Sequence, residues 1–434
     1  MAQFRTDTNK LDGSNLVTRF EVNMLSDRLT SAGTLTDAFG RLRTVQPLTL
    51  FDSYHRYTDN GLWVASNTAG TTYAFANNTG AIRMTVGTAA NQEIVRETRK
   101  VFAYQPGKSL LIMNSFVMNT PKTNLRQRVG YFGSQNGIYF ENDSGINYLV
   151  LRSFVSGTLN ETRVAQTNWN IDKFDGTGFS SQNSSIEHSS GLDVSKSNIF
   201  WTDIEWLGVG DVRCGFVVDG SLRTAHIFHN DNNITDPYMT TASLPIRYEI
   251  KNTGVTANSS TLKQICSSVM SEGGYELRGI QQAIQTPITT PRELTTAGTF
   301  YPIVSIRLKT TRLDAIVILT ALSILGISLG NYTWQVRSGT ITNGGTWTSA
   351  GEDSSVEYNI TGTSITGGRV LGSGFFSSTN QGSSNIDILK EALFKFQLER
   401  NTFTSTPFEI SLVMASDTNT RNVYGSMDWE EVSR

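Results

Sequence analysis

Asp203 and Glu205 flank Ile204 in the run NIFWTDIEWL, residues 198–207. On a strand, residues two apart share a face, so this pair is the minimal arrangement for the two carboxylates of glycoside hydrolysis. Trp201 and Trp206 bracket it, and acids alternating with apolar residues also mark a strand with one wet face. His226 and His229 (HIFH) are the one close histidine pair. Three-residue spacing on a strand points them to opposite faces, where they do not chelate one ion, although Asp231 and Asn232 follow in a loop. Asp172 and Asp175 in NIDKFDGTG, residues 170–178, lack the alternating oxygens and final Glu of a calcium loop and read as a polar turn. Gly107-Lys108-Ser109 ends like a phosphate loop, but Phe102 stands where the first glycine is required. Without a G-x-S-x-G elbow, the abundant serines have no activated nucleophile among them. The chain is therefore expected to act without catalysis, without a cofactor and without a bound metal.

Aromatic, Arg and Gln side chains do recur in polar surroundings: Arg126-Gln127-Arg128, Tyr131, Phe132, Tyr139, Trp169, Trp201 and Trp206. Such residues anchor interfaces because they cover large area at small entropic cost. Arg126, Arg128 and Trp169 are the expected interaction surface; a sandwich core is the competing place for most of the aromatics.

The elements that must position these groups are strands. Runs of five to eight residues rich in Val, Ile, Thr, Tyr and Phe are separated by clusters of Gly, Asn, Ser and Asp. Residues 198–207 and 212–218 are joined by Gly208-Val209-Gly210-Asp211, which predicts a hairpin, and Asp219-Gly220 predicts a second tight turn. Residues 315–330 (AIVILTALSILGISLG) are too short for a membrane helix and read as a buried strand, a turn and another strand. Helical spacing is confined to residues 14–29 and 387–396. The expected fold is all-β, with antiparallel sandwich or jelly-roll domains in tandem behind an extended N-terminal arm. Residues 1–45 are the arm, 46–285 a large jelly-roll-like domain, 286–298 a linker marked by Pro287 and Pro291, and 299–434 a second sandwich.

Of 434 residues only 17% are charged, and the net charge is -2. No basic field gathers phosphates, so nucleic acid is not an expected partner. Two cysteines, Cys214 and Cys266, exclude a disulfide scaffold and are expected as free buried thiols. MAQFRTDTNKLDGSNLV has no secretory h-region, so synthesis in a cytoplasm and no membrane insertion are expected.

Several longer blocks carry a resemblance. They are DAFGRLRTVQPLTLFDS (37–53), YQPGKSLLIMNSFVMN (104–119), LRQRVGYFGSQNGIYFE (125–141), RVAQTNWNIDKFDGTG (163–178), WTDIEWLGVGDVRCGFVVDG (201–220), YMTTASLPIRYEI (238–250) and the terminal SMDWEEV (426–432). Together they resemble a family of virion structural proteins of tailed bacteriophages, frequent among marine and cyanobacterial phages. The resemblance implies a tail-fibre, neck or decoration protein, located in the virion and without catalytic residues to carry over. The partners it implies are further copies of the chain as a homotrimer, other neck, tail or capsid proteins, and a host-surface glycan or protein. On that reading the arm docks to the particle and Phe39, Arg41, Arg43 and Phe51 make the assembly contacts. A head decoration protein is the first alternative and a polysaccharide-degrading spike the second.

Overall fold

A computed structural model describes residues 47–177, 191–378, 383–386 and 396–433. Phe39, Arg41, Arg43, residues 1–45 of the expected arm, the helical stretch 14–29 and that of 387–396 up to Lys395 lie outside the described residues. The chain divides into two compact units. Unit 1 holds residues to Glu97 and Tyr104–Tyr275; unit 2 holds Thr98–Ala103 and everything from Glu276. No α-helix occurs among the described residues, and no helix there is long and apolar enough to cross a membrane.

Unit 1 is built from β1 (Leu48–Ser53), β2 (Trp63–Asn67), β3 (Thr71–Ala76), β4 (Ala81–Val86), β5 (Glu93–Thr98), β6 (Ser109–Val117), β7 (Leu125–Phe132), β8 (Gly137–Asp143), β9 (Ile146–Ser153), β10 (Asn160–Ala165), β11 (Asn198–Ile204), β12 (Val212–Val218), β13 (Ser221–Phe228), β14 (Ile246–Asn252) and β15 (Ser260–Glu272). One sheet runs β13-β12-β11-β6-β15-β4-β3, with β1 added on β15, and the other runs β10-β9-β8-β7-β14-β5-β2. Strict alternation decides which face of the second sheet is dry. In β14 (IRYEIKN), Ile246, Tyr248 and Ile250 are fully buried, and the Tyr248 hydroxyl reaches Ser267 of the facing sheet at 2.9 Å. Phe140 of β8 meets Phe116, Phe200 and Phe216 of the facing sheet at centroid distances of 6.0, 6.0 and 5.1 Å. Unit 1 is thus an antiparallel sandwich with an aromatic core.

The two predicted turns are present. β11 and β12 pair antiparallel, and Asp219 and Gly220 both adopt positive φ (49° and 72°), the geometry of a two-residue hairpin turn. Gln105–Lys108 is a tight turn closed by the Lys108 amide on the Gln105 carbonyl. The 170–177 segment seals one end of the sandwich. Trp169 stacks on Phe216 at 6.2 Å, and Asp172 accepts the Phe174 amide.

Unit 2 contains β16 (Ile280–Gln285), β17 (Arg292–Leu294), β18 (Tyr301–Leu308), β19 (Ile316–Gly326), β20 (Gly330–Asn343), β21 (Thr348–Ser349), β22 (Val356–Asn359), β23 (Ser364–Ser378), β24 (Ser383–Ile386), β25 (Arg400–Asn401), β26 (Thr406–Pro407), β27 (Glu409–Ser416) and β28 (Arg421–Ser433). Sheets β16-β28-β19-β24 and β21-β22-β18-β27-β20-β23 enclose a core that includes Ile306, Leu322, Trp334, Leu412, Met427 and Trp429.

Three boundaries differ from the sequence expectation. Residues 286–298 are no linker: β17 lies among them and pairs with β28, as β16 does just before. Pro287 and Pro291 sit in the turn between these two strands, where a missing amide donor costs no ladder bond. Residues 98–103, inside the expected first domain, belong to unit 2, where Arg400 and Gln397 bond the carbonyls of Thr98 and Val101. And β19 runs on to Gly326, its register shifts on β28 lying in its first half, at Ile316/Val317 and Leu319/Ala321, so that the expected turn falls after Gly326 and before β20 opens at Gly330.

Candidate functional site

The dry face of β7, β8, β9 and β14 leaves every second residue for the opposite face, and there the sequence supplies charge. β7 presents Arg128 and Phe132, β8 Tyr139 and Glu141, β9 Tyr148 and Arg152, β10 Glu161 and Arg163, and β14 Arg247 and Glu249. Register sets the partners: Arg128 stands opposite Glu141 on one side and Glu249 on the other, while Arg152 stands opposite Glu161.

Arg128 donates to Glu141 from Nε, to Glu249 from Nη1 at 3.3 Å and to Glu161 from Nη2 at 3.5 Å. Arg152 binds Glu161 through Nε (3.0 Å) and Nη2 (2.8 Å), and the Tyr139 hydroxyl donates to the same carboxylate at 2.8 Å. Arg163 joins Glu141 to Asp143, and Arg247 joins Glu249 (3.0 Å) to Glu97 (3.5 Å). The guanidinium groups of Arg128 and Arg152 each lie 5.1 Å from the Tyr139 ring centroid, and Arg163 lies 4.1 Å over Tyr148. Glu141 is fully buried and Arg128 nearly so. The arrangement is a lattice in which Arg128 joins three carboxylates and each of the other guanidiniums bridges two carboxylates, or a carboxylate and a ring.

Electrostatics fix its protonation. Burial alone pushes the carboxyls of Glu161 and Glu249 upward, but the surrounding guanidiniums outweigh it and hold both below the usual range. These acids stay ionised across the physiological range. They accept hydrogen bonds and do not donate protons.

The sequence-predicted residues distribute unevenly over this geometry. Arg128 is central to the lattice, and Arg126 lies one strand step away, opposite Asp143 and Lys251. Trp169 is not on a surface: it is 2% exposed, and its Nε1 donates to the Val164 carbonyl. Phe51 is likewise buried, edge-on to Trp63 at 6.0 Å, so it fills the core of its own unit rather than an assembly interface. Glu141, Arg152, Glu161, Arg163, Arg247 and Glu249 went unread in the sequence. The available signal was charge at alternate positions in IRYEIKN and NETRVA, out of phase with the apolar residues.

Asp203 is buried and paired with Arg213 at 2.7 Å. β11 ends at Ile204, and Glu205 opens the turn closed by the Gly210 amide on the Trp206 carbonyl, so the two acids do not extend along one strand face. Cys214 is buried, but Cys266 is exposed at the β15 register shift; both are free thiols. Among the described residues, no group of three His, Cys, Asp or Glu side chains is placed to hold a metal ion.

No known protein family matches the chain, and no curated protein matches it. Among solved structures, a protein of unknown function from Shewanella oneidensis MR-1 is similar at 12% identity, covering 62% of this chain and 97% of its own, with a TM-score of 0.32. A GH16 protein of the Bacteroides ovatus mixed linkage glucan PUL is 10% identical over 51% of this chain and 99% of its own, with a TM-score of 0.33. A carbohydrate esterase from a Shiga toxin-encoding bacteriophage is 12% identical over 52% and 100%, with a TM-score of 0.30. Scores this low carry no functional conclusion.

His226 and His229 part company. His229 pairs with Asp211 at 2.8 Å, whereas His226 accepts the Asn170 amide and packs on Phe228. Burial, with a smaller push from His229, lowers His226 to about 4 from 6.5. The unfolded chain therefore takes up this proton first, and stability present above pH 6.5 is lost as pH falls toward 4. His55, also lowered by burial and by Arg96, acts in the same direction. Urea unfolding between pH 7 and 4 is expected to show a declining midpoint, with a shallower decline in His226→Gln. An identical slope in that variant would remove His226 from the account.

Proposed function

We propose that the chain is a structural component of a tailed-phage virion, a tail or neck appendage that works by binding rather than by catalysis and contributes to host attachment. The observation that carries the binding half is the lattice around Arg128 and Glu141. Within it Glu161 and Glu249 are held below the usual carboxylate range by neighbouring guanidiniums, and the partly exposed Glu161, Arg163 and Asp143 form its rim, which suits a stiff, pre-ordered polar edge. The virion half rests on the sequence blocks that resemble phage structural proteins. Those blocks supply β6, the β7–β8 and β11–β12 hairpins and β14 at the centre of unit 1, and SMDWEEV falls on β28 at the centre of one sheet of unit 2. The resemblance therefore runs through the framework of both units.

Quantitative mass spectrometry of purified virions tests the reading. A few to some tens of copies, relative to the major capsid protein, is the expected result. Hundreds would make the chain a head decoration protein instead, and absence from particles would remove the virion role.

A further inference from the structure

β23 is the terminal strand of its sheet, paired along one side with β20; among the described residues nothing pairs with its other side. Sheet edges normally carry protection in the form of shortness, lysine or proline, because unpaired amides and carbonyls recruit another strand. At the opposite end of the same sheet, β21 is two residues long. β23 is fifteen residues long (SITGGRVLGSGFFSS), contains one ionisable side chain, Arg369, and no proline, and none of its residues is buried. Phe375 is 86% exposed and Val370 47%. Their partners on β20, Thr333 and Arg337, are four residues apart, so both side chains stand on one face despite the bulge between them at Leu371.

We infer that β23 is the interface between two copies of this chain, joined edge to edge and antiparallel about a two-fold axis at Ser373. That register places Val370 of each copy against Phe375 of the other, a β-branched–aromatic pair made twice, and repeats the Leu371 bulge symmetrically. Two features select a second copy as the occupant. The strand offers no charge pattern for a charged partner, and Val370 and Phe375 complement each other under this axis. Area agrees: fifteen residues at about 3.4 Å each, on a sheet about 10 Å deep, present about 500 Å² per copy, or about 1,000 Å² in total. That is the size at which specific interfaces begin. The inference stands apart from the appendage reading.

The test compares the full chain with the double variant Val370→Lys, Phe375→Lys by light scattering over about 1 to about 100 µM, with amide hydrogen exchange on β23. The wild type is expected at twice the 47.8 kDa chain mass, with slow exchange along β23. The variant, whose two substituted side chains are exposed and leave the core intact, is expected to associate at least about 100-fold more weakly and to exchange rapidly there. A wild-type monomer, a closed trimer, or a dimer unchanged by the two lysines would overturn the two-fold β23 interface. None of these outcomes alters the copy number that tests the appendage reading.

Discussion

Replacing Arg128 by alanine is expected to destabilise unit 1 by about 3–5 kcal/mol, measured as a lowered urea midpoint at pH 7. The loss is large because the substitution leaves charge behind. Arg128 is the guanidinium common to Glu141, Glu161 and Glu249, and Glu141 has no exposure through which water could replace it. Without Arg128 these acids keep only Arg163, Arg152 and Arg247, and the excess negative charge left in low dielectric costs far more than the intact network contributes. Arg163 supplies the internal control: it also binds Glu141, but its side chain is 34% exposed and its loss leaves Glu141 on Arg128, so Arg163→Ala is expected to cost less, about 1–2 kcal/mol. Equal effects from the two substitutions would mean that the lattice is solvated throughout.

Phe140→Ala is expected to cost a similar amount, about 3–5 kcal/mol, for an unrelated reason. No charge is stranded; a void opens instead. Phe140 is fully buried where β8 faces β6, β11 and β12, and three rings from the opposite sheet close around it. The transfer of the ring and the unfilled space both weigh against the folded state, because sheets held by their ladders do not collapse onto the gap. A Phe140→Ala protein within about 1 kcal/mol of wild type would show that the sandwich is loosely packed at this point.

The all-β class and the hairpins were legible because they are written locally. Asp219-Gly220 and Gly208–Asp211 lie between the strands they join, and backbone chemistry at those residues is sufficient. The lattice was not legible, although each of its strands was. Arg128 meets Glu141 13 residues away and Glu249 121 away, and only the strand order β8-β7-β14 brings the three together. Phe51 and Trp169 were misread for the converse reason. An aromatic flanked by polar residues looks like an exposed anchor until alternation, or a loop folding back over a sheet end, turns it inward. Pro287 and Pro291 suggested a linker because proline excludes a central strand, yet two short strands aligned along one side of β28 need only a turn between them.

The membership of Thr98–Ala103 in unit 2 has a consequence for biosynthesis. Val101, Phe102 and Ala103 are each 2% exposed in the finished protein, but their companions Gln397 and Arg400 lie almost 300 residues downstream on the chain. At about 5–20 residues per second, the ribosome takes tens of seconds to supply them. Throughout that time an apolar tripeptide hangs between two strands of the nascent first unit with its cover not yet made. Unit 2 cannot be completed from its own C-terminal stretch alone, and a C-terminal fragment beginning at Glu276 would carry a slot for the missing residues. The second unit therefore matures only by reaching back to residues made long before.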